Sequence, residues 1–102
     1  MLLKATADTE TATAAIADGS LPKVIKETME RLKPEATFFY TENGNRTSLM
    51  VFDLKDPSEI PGIAEPLFAT LKAKVELIPV MNIEELQKGL KAAVKSQYET
   101  VQ

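Results

Sequence analysis

Asn43-Gly44 stands between two β-favouring runs, and no other feature of this chain narrows its possible folds so much. A two-residue hairpin turn whose twist suits the flanking strands needs positive φ at both central positions, which Asn-Gly tolerates best. Ala36 to Glu42 (Ala-Thr-Phe-Phe-Tyr-Thr-Glu) and Arg46 to Leu54 are therefore expected to be the arms of an antiparallel hairpin. On the second arm Leu49 and Val51 share one face while Met50, Phe52 and Leu54 share the other, so both faces need cover.

The elements before the hairpin follow from periodicity. Leu3, Ala5 and Ala7 alternate with Lys4 and Thr6 over Leu2 to Asp8, which predicts a strand. Asp8 or Thr9 caps a short helix over Glu10 to Asp18, whose Ala12, Ala15 and Ile16 make a narrow stripe suited to close packing, and Gly19 supplies a left-handed stop. Ser20 offers a new N-cap. Leu21, Val24, Ile25, Thr28, Met29 and Leu32 then recur at helical spacing until Pro34 ends the run.

After the hairpin, Asp56-Pro57-Ser58-Glu59 has the composition of a helix start, and Ile60, Ile63, Ala64, Leu67, Phe68 and Leu71 form the next stripe. Pro66 lies inside that stripe and predicts a kink or a break, because it removes the hydrogen bond to the carbonyl of Gly62. Lys74 to Met81 alternates as a strand, with Pro79 favouring a sheet edge or a strand end. Asn82-Ile83-Glu84-Glu85 repeats the capping pattern ahead of Ile83, Leu86, Leu90, Ala93 and Val94, with the helix expected to end near Gln97 and residues beyond Tyr98 to fray.

The order is thus β-α-β-β-α-β followed by one further helix, within a single domain spanning residues 1–102. Right-handed crossovers arrange such a chain as an α+β ferredoxin-like sandwich with strand order 4-1-3-2 and both long helices on one face. Lys4 and Glu76 then lie near one another on the open face, while Leu3, Ala5, Val75 and Leu77 line the core. Ile78, Val80 and part of the hairpin leave that open face too apolar for water, and back-to-back pairing of two copies buries it.

In topology the chain resembles the dimeric α+β barrel group, whose members pair two ferredoxin-like sheets and often hold a ligand cavity in each protomer. Locally, Asn43-Gly44-Asn45-Arg46-Thr47, Val51-Phe52-Asp53-Leu54, Ile63-Ala64-Glu65-Pro66-Leu67-Phe68, Ile78-Pro79-Val80-Met81-Asn82 and Leu86-Gln87-Lys88-Gly89-Leu90 resemble a group of small bacterial proteins to which no reaction is assigned. This local resemblance implies a stand-alone domain of about this length and transfers no catalytic residue; the topological one implies a homodimer.

Composition removes many chemistries. The 102 residues include no Cys, His or Trp, so Ser-His-Asp and Cys-His nucleophilic systems, His or Cys zinc sites, haem ligation by His and iron–sulfur clusters are closed to the chain acting alone. Carboxylate binding of Mg²⁺ or Ca²⁺ stays open, although no cofactor is expected. A formal charge of −3 without a basic run speaks against nucleic acid and anionic membranes as partners. No apolar leader or spanning segment is present, and a cytoplasmic location is expected. A domain this small buries roughly 65% of its unfolded surface, so a sizeable pocket is expected to need a second subunit.

Four residues are candidates for a ligand site. Tyr40, Arg46 and Asp53 on the hairpin arms, with Glu65 on the following helix, offer a phenol, a cation and two acids that suit a small carbonyl or phenolic compound. Their plain structural roles are an edge tyrosine with a wet hydroxyl, a surface ion pair for Arg46, a strand-ending aspartate and a solvent-facing glutamate. The expected function is binding of a small molecule or protein without catalysis. The alternative is a cofactor-independent isomerase or monooxygenase using those four residues, and a third reading makes the chain an oligomer subunit whose last helix reaches across to its partner.

Overall fold

The structure, a computed structural model, describes residues 1–101. It is an α+β fold: four antiparallel strands and four helices. β1 (Leu2–Thr6) is followed by α1 (Thr9–Asp18) and α2 (Ser20–Leu32), then the hairpin of β2 (Ala36–Glu42) and β3 (Asn45–Val51). A single 3-10 turn (Pro57–Glu59) leads into α3 (Ile60–Leu71), and β4 (Lys74–Ile78) precedes α4 (Ile83–Val101). The sheet order is β2-β3-β1-β4.

Asn43 and Gly44 both adopt positive φ, 52° and 79°, so the hairpin closes through the turn that its two tip residues dictate. In register, Leu3 pairs with Met50 on one side and Leu77 on the other, and Lys4 pairs with Glu76. That places Leu3, Ala5 and Met50 under the helices, where all three are buried. On the open side Lys4 bonds Glu42 and lies 4.0 Å from Glu76, which in turn takes Lys74 at 3.4 Å. One half of the open face is therefore ionic. The other half, near Leu2, Phe38, Leu49 and Ile78, is apolar, and Phe38 and Ile78 are exposed.

Several element ends differ from expectation for identifiable reasons. β3 stops at Val51 rather than Leu54 because its neighbours run out: Val51 faces Leu2 and Ala36, the first residues of their strands. β4 stops at Ile78 rather than Met81, opposite Leu2, just where Pro79 has no N–H to give. Gly19, not Ser20, is the N-cap of α2, and Ser20 is its first residue, tied by its N–H and Oγ to Asp18 Oδ1 at 2.8 and 2.6 Å. α4 continues past Gln97 to Val101.

Of the kink or break expected at Pro66, no break occurs, and α3 runs through it from Ile60 to Leu71. Gly62 explains part of this tolerance, since the proline ring meets no side chain one turn back. The guanidinium of Arg31 occupies the space that a β-carbon on Gly62 would need, so α2 and α3 close over that bare turn.

Asp8, Asp18 and Asp56 each accept backbone and hydroxyl hydrogens at a helix start or junction, and each carboxyl is held below its ordinary value. The cause is the side-chain bond from Thr11 for Asp8, the hydroxyl of Ser20 for Asp18, and the backbone N–H of Ser58 for Asp56. A carboxyl whose folded value is depressed stabilises the fold above its unfolded value, and that stabilisation disappears as pH falls through the folded value. Urea midpoints are accordingly expected to be level at neutral pH and to fall below about pH 4. The triple variant D8N/D18N/D56N should show a shallower acid slope; an unchanged slope would mean these caps do not titrate with folding.

Candidate ligand-binding cleft

The helix side of the sheet is not fully covered. α1, α2 and α3 pack over β1 and β3, but β2 lies beyond their reach, and Phe39, whose register partner is Ser48 on that same side, remains 56% exposed. Between β2 and the helices opens a cleft of about 330 Å³. Its floor is Leu3 and Ala5 of β1 and Ala7 just beyond that strand, with Ser48 and Met50 of β3; its walls are Leu21 and Ile25 of α2 with Leu67 and Leu71 of α3, and Phe39, Tyr40 and Arg46 reach its rim. Small floor residues make the space: alanine at positions 5 and 7 leaves room that a larger side chain would fill.

Polar groups around this space are few, and most are committed. Thr28 Oγ1 donates to the Val24 carbonyl at 2.7 Å, and Thr47 Oγ1 donates to the Asn45 carbonyl at 3.1 Å. Tyr40 donates its phenolic hydrogen to Glu42 Oε1 at 3.0 Å, beside Lys4. Lys4 and Glu42 belong to the open face, so the hydroxyl of Tyr40 is turned away from the cleft even though its residue borders it. Desolvation, followed by the bond to Glu42, raises the phenol above its ordinary value, which keeps it a proton donor and disfavours it as a base.

Arg46 is the exception. Its Nη1 donates to Thr13 Oγ1 of α1 at 3.2 Å, and no carboxylate among the described residues pairs with it. The expected surface ion pair does not form. Arg46 instead presents a positive charge at the edge of an apolar space, steadied by one hydroxyl, while Thr9 Oγ1 and Asn45 Oδ1 at 2.6 Å tie the same helix to the same hairpin.

The structure brings Tyr40 and Arg46 to the cleft and leaves Asp53 and Glu65 outside it. Asp53 lies beyond the end of β3 and pairs with Lys55 at 2.9 Å; Glu65 is exposed on α3. No carboxylate lines the cleft among the described residues, so its lining can orient and neutralise a ligand but offers no acid–base pair for a proton transfer. Nor do the described residues contain a group of three or more Asp or Glu that could hold a metal ion. Alternation along the Phe38-Phe39-Tyr40 run put Phe39 on one face of the hairpin, whereas Ser48 was not singled out, although the register set at Asn43-Gly44 contained that signal by placing it on the side of Ala5 and Met50.

No described helix is long and apolar enough to cross a membrane. Comparisons of the chain with protein-family models, with curated proteins and with solved structures find no match in any of the three.

Proposed function

We propose that this chain is a homodimeric ferredoxin-like domain that binds a small, mainly apolar molecule bearing one acidic group and does not transform it. The strand order and the helices gathered on one face support the fold assignment. The observation that carries the functional reading is Arg46, a cation without a described carboxylate partner at the rim of an apolar cleft. A planar carboxylate takes two parallel hydrogen bonds from a guanidinium, and an apolar tail gains by leaving water for the Leu3, Ala5 and Met50 floor. The volume lies at the lower end of the range for small-molecule sites, which favours a compact ligand over a nucleotide or a coenzyme.

Calorimetric titration with octanoate and with 1-octanol tests this reading. Octanoate should bind more tightly than 1-octanol. Arg46→Met should weaken octanoate by about tenfold or more, the size expected for a charge-assisted hydrogen bond, and leave 1-octanol unchanged. Ala5→Phe, which fills the floor, should abolish both. Failure of the unmodified protein to bind either compound would overturn the reading.

A further inference from the structure

Every residue from Ile78 to Lys95 is exposed, so α4 over that described stretch leaves the body of the domain without packing on it. The resulting dimensions, 64 × 28 × 19 Å, and a radius of gyration of 17.6 Å depart from the roughly 13 Å of a compact chain this long. Surface area agrees: the chain exposes 7230 Å², whereas a folded monomer of 11.2 kDa exposes about 5,700 Å². The excess, about 1,500 Å², surpasses the roughly 800 Å² that each partner contributes to a standard interface.

α4 is nonetheless a well-specified helix. Asn82 Oδ1 accepts from the Glu85 N–H at 2.8 Å, and Glu85 Oε1 accepts from the Asn82 N–H at 3.0 Å, a complete capping box. Its Ile83, Leu86, Leu90 and Val94 lie exposed on one stripe. In proteins most of a helix's stability comes from packing its amphipathic face, so the stripe needs a partner.

We propose that α4 pairs with α4 of a second copy, antiparallel and crossing near Leu90. This rests on the homodimeric part of the reading above and names the element that makes the dimer. Charge order selects the occupant: Glu84 stands in the first turn and Lys91 and Lys95 follow on the same flank of the helix, so an antiparallel copy crossing near Leu90 sets acid against base at both ends. Such a contact is two-fold and self-complementary, the usual form of a homodimer interface. Gly89 gives an independent sign. A glycine inside a helix weakens it, and a β-carbon there would meet nothing within 4 Å, so no contact within the chain requires it. Beside Leu90 it leaves room for a second helix to approach.

The chain has no cysteine, so single substitutions report contact cleanly. Leu90→Cys should link two chains on mild oxidation with copper phenanthroline, and Lys88→Cys, on the far side of the helix, should not. Sedimentation equilibrium at micromolar concentration should give twice the chain mass for the unmodified protein and for Phe38→Glu, and a single chain mass for Leu90→Glu. Gly89→Leu, which favours an isolated helix, should weaken the dimer. A monomeric unmodified protein would remove both this pairing and the homodimer. A dimer that Phe38→Glu dissociates, with Leu90→Cys unlinked, would leave the homodimer standing on its sheet face and remove the α4 pairing alone.

Discussion

Replacing Leu3 with alanine is expected to cost about 3 kcal/mol and to lower the melting temperature by about 12–24 °C. Leu3 and Ile63 are the largest fully buried side chains, and Leu3 sits on a central strand between Met50 and Leu77. Backbone pairing on both sides pins β1, so the strand cannot sink into the vacated space. The cavity stays, and its cost adds to the lost transfer of three methyl and methylene-type carbons out of water. Leu3 also forms cleft floor, so truncation deepens the cleft. Urea and thermal unfolding measure the first effect. A loss below about 1 kcal/mol would show that the floor is loosely packed, contrary to its burial.

Much of this architecture was legible because several signals agreed. The Asn43-Gly44 turn fixed the hairpin register, and alternation at Leu3, Ala5 and Ala7 fixed which side of β1 faces inward. The closeness of Lys4 and Glu76 follows from the same logic and is found in the register. Helix starts at Asp8 and Asn82 were readable because a short polar side chain there satisfies N–H groups that the helix cannot.

The site was less legible, since it depends on where elements stop and on what fails to cover them. Asp53 was placed on a strand that ends before reaching it, because a strand's length is set by its neighbours rather than by its own composition. Tyr40 was correctly assigned to an arm, yet its hydroxyl serves the ionic face through Glu42, a choice made by a residue two positions along. The cleft itself arises from a mismatch in width: four strands lie under three helices, and β2 is left bare. No local pattern encodes that mismatch.

Ala12→Leu is expected to destabilise the domain by about 1–3 kcal/mol, whereas Ala14→Leu on the same helix should change it by less than about 0.5 kcal/mol. Ala12 is completely inaccessible and Ala15 nearly so, which puts the backbone of α1 close against the sheet and α3. Leucine matches alanine closely in helix propensity, so any difference between the two variants reports packing alone. Extra volume at position 12 can be admitted only by lifting α1. That movement draws Thr13 away from Arg46, which its hydroxyl now holds at 3.2 Å, and releases the guanidinium at the cleft rim. Ala12→Leu should therefore also weaken octanoate binding while leaving 1-octanol less affected, and Ala14→Leu should alter neither. If Ala12→Leu is tolerated with stability and octanoate affinity both unchanged, α1 does not stand as close to the sheet as its alanines require, and Arg46 is not held in place by that helix.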